Sequence, residues 1–253
     1  MKNVKTFIIF MLVVLTWGTT WIAMKIAVTT IPPLIATGMR FLFASPFLIL
    51  LCKLFKEPLI YPKGERIYQI IVTLFYFSAP FSLMIYGEKY VNPAVAAIIF
   101  STMPAMILIT SIMFLGKKTN CMQVMGLSFA MISLFFLICK TTNMTTPSQF
   151  KGVIALLFAA LAHAIIYTLT KKQKKKVSVL TFNAIPCLTS GFLLIALGWA
   201  TELANFSHFS KISIIATFYL GAVAGVFGIL CYFYLQQKQR LLKHHWLSWF
   251  SHW

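Results

Sequence analysis

The sequence predicts an all-α fold, a polytopic membrane bundle of about eight transmembrane helices. Two observations carry that expectation. The 253 residues are 60% hydrophobic and only 10% charged, with a mean hydropathy of +0.86, whereas a soluble domain carries about a quarter charged residues. The apolar residues also fall into runs of about twenty, the length that crosses a hydrocarbon layer as a helix. Spacing within the runs further predicts that the helices form one full five-helix repeat followed by an incomplete, inverted second repeat.

Spans are expected near 7–25, 34–52, 67–87, 94–115, 121–139, 152–170, 180–200 and 213–235. The connections are short, which leaves no room for a soluble domain. The first run could pass for a signal-peptide core, but no cleavage site follows it and further spans do. With the N-terminus inside, sixteen of the 22 lysines and arginines fall in cytoplasmic segments and five in outer ones, while Arg40 lies within a span. That asymmetry predicts cytoplasmic N- and C-termini in the cell membrane. A net charge of +18 raises nucleic acid as a partner, but the basic residues lie between apolar runs rather than on one soluble face, so none is expected. The cluster Lys171 to Lys176 reads as a topology anchor on anionic lipid. Cys52, Cys121, Cys139, Cys187 and Cys231 are odd in number and widely spaced, the pattern of free thiols rather than of disulfides or a zinc site. Two Asn-x-Ser/Thr triplets, at Asn143 and Asn205, lie in outer loops, where short polar sequences produce them by chance.

The first span holds Trp17-Gly18-Thr19-Thr20-Trp21-Ile22-Ala23-Met24-Lys25 at mid-depth, where a plain lipid anchor would carry leucine. Trp17, Trp21 and Lys25 stand at i, i+4 and i+8, and His163, Tyr167 and Lys171 repeat that spacing 146 residues later. At the same offset Phe81-Ser82 falls on Phe227-Gly228. Five spans separate the two units, so the second enters from the opposite side, as in transporters built from inverted repeats with a midplane site. Segment 6–139 is therefore read as the first five-helix repeat, 152–238 as an incomplete second repeat of three helices, and 239–253 as a foreign basic and aromatic tail.

The motifs Trp17-Gly18-Thr19-Thr20-Trp21, Arg40-Phe41, Tyr90-Val91-Asn92-Pro93-Ala94 and Met103-Pro104 resemble, in order and spacing, the EamA branch of the drug/metabolite transporter superfamily over residues 6 to about 238. The resemblance implies ten helices in two inverted five-helix repeats that move small metabolites, amino acids or drugs by alternating access. The sequence departs from it twice. Leu115-Gly116-Lys117-Lys118 lacks the usual Gly-Glu pair, and the second unit holds three spans instead of five. Gln239 to Trp253 contain three of the six tryptophans and three of the five histidines, a break in composition expected of a truncation by frameshift. The competing expectation is an amphipathic helix on the inner leaflet, with Leu242, Trp246, Trp249 and Trp253 on one face.

Candidate substrate-binding residues are Trp17, Thr20, Trp21, Arg40, Tyr86, Glu88, His163 and Tyr167. Arginine in hydrocarbon costs about 2.5–3.5 kcal/mol on insertion scales, so Arg40 needs a partner or a watery cavity. It serves either as a structural ion or as the counter-charge of an anionic substrate group. Glu88, on the same side, is expected within its reach; otherwise it binds a coupling proton or a cationic substrate. His163 either carries a proton or is a hydrogen-bonded core residue. Pro46, Pro80, Pro104 and Pro186 mark kinks within spans. There is no aspartate, and the four glutamates are scattered, so no nucleophile and base, paired acids or metal cluster suggests an enzyme. The function expected is a secondary transporter of a small-molecule substrate in the lipid bilayer, with no cofactor or metal. The alternative is an inactive truncated paralogue or a non-transporting subunit or channel. A homodimer is one arrangement that would close a site short of a wall.

Overall fold

The computed structural model describes residues 2–141, 146–172, 177–202, 204–231 and 234–235. Seven helices among them are long and apolar enough to cross a membrane: α1 Val4–Ala27, α2 Pro33–Leu54, α3 Arg66–Tyr90, α4 Pro93–Leu115, α6 Pro147–Lys171, α7 Val179–Thr201 and α8 Lys211–Cys231. Between them α5, Cys121–Thr141, is apolar over Cys121–Leu137. All eight stand where the apolar runs lie. The tail, the Asn143 triplet and Lys174 to Lys176 lie outside the described residues.

Helix ends follow the local sequence. Pro32 and Pro33 lack an amide hydrogen and open α2, where the missing donors cost nothing. Asn92 caps α4 by accepting from Ala94 N at 2.9 Å. Gly116 ends α4 in the left-handed region at φ 59°, a conformation glycine adopts without strain. Ser178 and Ser210 cap α7 and α8 by accepting from Thr181 N and Ser213 N.

Several spans are interrupted at mid-depth. In α1 the helix breaks at Thr19, whose hydroxyl donates to Leu15 O at 2.7 Å and also lies 2.6 Å from the Tyr219 hydroxyl. Hydroxyls bonded back to the preceding turn compete with the helix ladder and bend it. In α4 the break falls at Ser101-Thr102, just before Pro104. α3 and α8 each contain a π-helical stretch, Thr73–Ser78 and Tyr219–Phe227. They begin 146 residues apart, the offset that aligns Trp17 with His163. Pro80 stands two residues past the first stretch, whereas Pro46 and Pro186 lie inside continuous helices. The wider turn in α3 is held by Ser78 and Ser190, whose hydroxyls both donate to Thr73 O, at 2.8 and 2.9 Å.

The centre of the bundle is the crossing of α2 with α7, flanked by α3 and α8. Small residues set the approach: a Cβ on Gly38 would stand 2.9 Å from Gly191 O, and one on Gly221 would overlap the Arg40 carbonyl. α3 meets α6 in the same way at Gly87 and Gly152. Without a hydrophobic gain between helices already in lipid, such close contact is a main source of association. α5 touches the bundle chiefly through α4.

Two apolar clusters divide the core. One, with Met24, Ala27, Ile31, Ile35, Ile85 and Ile99, fills the end carrying loops 28–32 and 91–92 and the start of α8. The other, with Phe41, Leu48, Tyr61, Phe77 and Cys187, fills the end carrying loop 55–65 and the start of α7.

Candidate functional site

A cavity of about 560 Å³ lies between these clusters. α1 supplies Trp17, Thr20 and Trp21; α2 supplies Arg40; α3 supplies Tyr76 and Phe81. α6 adds Tyr167 and Thr170, α7 adds Phe182 and Asn183, and the π stretch of α8 adds Ala224 and Gly225. The interruptions of α1, α3 and α8 therefore fall on the cavity wall. A helix that stayed regular would fill this space with its own side chains.

Five of the eight expected residues meet here: Trp17, Thr20, Trp21, Arg40 and Tyr167. Their i, i+4 spacing on α1 and their mid-depth position were the signals for it. The other three lie elsewhere. Tyr86 packs its ring against Tyr90, 5.0 Å between centroids, further along α3. His163 stands behind the wall, edge-on to Tyr76 and Phe81 at 4.9 Å each. Its Nδ1 donates to Ala159 O at 2.9 Å, so the imidazole braces two lining rings as a satisfied core residue.

Arg40 and Glu88 do not pair as expected. Both Glu88 oxygens are buried and accept no hydrogen bond among the described residues. The cation nearby is Lys25, whose ammonium donates to the carbonyls of Glu88 (2.7 Å), Lys89 (3.0 Å) and Val91 (3.0 Å). These carbonyls end α3, where the helix dipole favours a cation. Lys25 therefore takes the place the sequence suggested for Arg40. The Arg40 side chain, 8% exposed, turns to the cavity instead. Its guanidinium carbon lies 4.8 Å from the Phe81 ring centre, and Nη1 lies 3.9 Å from Met24 Sδ. A second cavity of about 70 Å³ lies behind Arg40, against Asn183, Cys187 and Gly221.

Residues not singled out in the sequence complete the wall. Asn183 was visible as a lone amide within α7; its Nδ2 donates to Val179 O at 2.8 Å. Tyr76, Phe81 and Phe182 carried no signal, since aromatics are common throughout the spans.

The two ends of the cavity differ. Thr170, Val177 and Val179 lie at the end where α6 stops and α7 starts, and a further 250 Å³ cavity bounded by Glu57, Pro62 and Ser178 shares Val177. The opposite end is tied shut. Besides Lys25, Glu202 accepts from Leu34 N at 2.9 Å and Ile35 N at 3.2 Å, closing α7 onto the start of α2. Ser213 joins α8 to α1 through Ile26 O at 2.9 Å and Thr29 Oγ1 at 3.0 Å. Among the described residues no group of three or more His, Cys, Asp or Glu could hold a metal ion.

The profile of the EamA-like transporter family matches residues 4–139 and 150–240. Protein PagO of Salmonella typhimurium strain LT2 is 56% identical over 238 residues, 94% of this chain and 78% of PagO. An uncharacterized transporter of Buchnera aphidicola subsp. Schizaphis graminum is 50% identical over 238 residues, 94% of this chain and 79% of its own length. The more distant YoaV of Bacillus subtilis, also an uncharacterized transporter, is 25% identical over 231 residues, covering 91% and 79% of the two chains. One crystal structure shares the fold at 17% identity with a TM-score of 0.58, across 94% of this chain and 88% of the other. Matches in two segments that together span nearly the whole chain, and relatives this similar bearing the name transporter, settle the membership: this multi-pass membrane protein belongs to the EamA-like transporter family.

Proposed function

We propose that the chain is a secondary transporter, an exporter or permease that moves small organic metabolites, amino acids or drugs across the cytoplasmic membrane by alternating access. The observation that carries this reading is the mid-depth cavity, which reaches one end of the bundle and is tied shut at the other. The volume lies within the roughly 300–1,000 Å³ of small-molecule sites. The matching offsets of the Trp17/His163 motif and of the two π stretches support an inverted repeat, the arrangement in which one half rocks against the other around a central site. The lysine and arginine bias supports cytoplasmic termini, so that the cavity reaches the cytoplasmic side.

The test is flux of a panel of labelled metabolites and toxic analogues, in cells with and without the gene and in liposomes containing the full chain. At least one solute should move faster with the protein present, and Tyr167→Ala should slow it. If the inserted protein changes no flux, the proposal fails.

A further inference from the structure

The charge of the cavity narrows the class of solute. Among the described residues Arg40 is the only cation or anion lining it, and no carboxylate joins it there. A guanidinium carries five N–H donors. Among the described residues it lies against a thioether sulfur, the face of Phe81 and, across the small cavity behind it, Cys187; the ring face recovers part of the cost of burial, but none of the three is an anion that matches the charge. A charge held in a low-dielectric site without a partner is costly, and the partner that recovers most is a bidentate carboxylate. Flat aromatic rings from Trp17, Trp21, Tyr76, Tyr167 and Phe182 form a large part of the remaining wall.

We propose that the solute is a small organic monoanion, a carboxylate on an aromatic or other flat apolar body, with its carboxylate on Arg40; this rests on the transport reading above. A cation would meet Arg40 with no acid to offset it. A neutral solute would leave the guanidinium as poorly compensated as it is now. A phosphate monoester, carrying nearly two charges, would leave one of them unmatched by a single guanidinium.

The test uses the full chain in lipid nanodiscs at neutral pH, titrated calorimetrically with ligands sharing one phenyl-propyl skeleton. These are 3-phenylpropanoate, its uncharged amide, the cation 3-phenylpropylamine and the phosphate monoester of 3-phenylpropanol. The carboxylate should bind at least about tenfold more tightly than the other three, the scale of a hydrogen bond to a charged group. Arg40→Gln should abolish that preference and Arg40→Lys should keep part of it. Thermal melting of both variants separates the site from a structural role: a cation without a partner should be lost without lowering the melting temperature. Equal binding of the amide, amine or phosphate overturns the proposal. So does failure of all four to bind, a preference that survives Arg40→Gln, or a large drop in melting temperature in both variants. If the flux panel moves only neutral or cationic solutes, transport stands and the anion class falls; if it moves nothing, the transport reading itself is lost.

Discussion

At the scale of single residues, two long-range caps hold the closed end. Glu202 accepts from the first two amides that α2 has free after Pro32 and Pro33, Leu34 N and Ile35 N. A carboxylate at a helix N-terminus satisfies orphan donors and meets the positive end of the dipole. Glu202→Ala should therefore lower stability by about 0.5–2 kcal/mol, seen as a drop in melting temperature in detergent. Glu202→Gln, which keeps an acceptor but loses the charge, should lower it less. Equal losses would mean that the amide bonds contribute nothing beyond charge. Lys25 plays the opposite part at the end of α3, where three carbonyls share one ammonium. Lys25→Met keeps the apolar stem but leaves those carbonyls and the Glu88 carboxyl without a cation. Hydrogen bonds to charged groups are each worth about 1.5–3 kcal/mol, so the variant should populate open forms of this end far more often. Hydrogen exchange at the amides of 88–92 reads that change directly, and unchanged exchange would contradict it.

At the scale of elements, close approach of helices matters more than side-chain bulk. A Cβ on Gly191 would lie 2.7 Å from Leu42 Cδ2 and 3.2 Å from Gly38 O, whereas one on Gly126, in α5, meets nothing within 4 Å. Gly191→Leu should force α2 and α7 apart and leave little folded protein on size-exclusion chromatography. Gly126→Leu should be tolerated, and equal damage at both sites would refute the packing account. The contrast explains how much of the fold could be read in the sequence. Span positions were legible because apolar length alone fixes them. The break before Pro104 was legible too, since proline cannot continue the amide ladder. The π stretches were not: Thr73 to Ser78 reads as ordinary helix, and its wide turn depends on Ser190, far away in the chain. The site divided in the same way. Trp17, Trp21, Arg40 and Tyr167 stood out as polar or aromatic groups at mid-depth. Where Arg40 and Lys25 point depends on which helices become neighbours, and no spacing within a span encodes that. His163 matches the core alternative that its sequence left open, since its donor is used one turn back at Ala159 and two aromatic edges close over it.

At the scale of the whole molecule, the asymmetry between the two ends gives the proposed transport cycle a starting state. Thr170 lines the cavity near the end of α6, while Ala27 is fully buried in the cluster that seals the other end. In a variant with the native cysteines replaced, a cysteine at position 170 should react with a membrane-impermeant thiol reagent applied from the cytoplasmic side and be protected from the outer side. A cysteine at position 27 should stay unreactive from both. Alternating access requires that opening one end be coupled to closing the other, because a single packed core supports two discrete arrangements rather than a continuum. Removing the Lys25 ties with Lys25→Met lowers the cost of the second arrangement without touching the cavity. Labelling at 27 from the outer side should then rise while labelling at 170 from the cytoplasmic side falls in step. A rise at 27 with no fall at 170 would describe a leak through a loosened bundle, and the structure would then be that of a gated pore rather than a carrier.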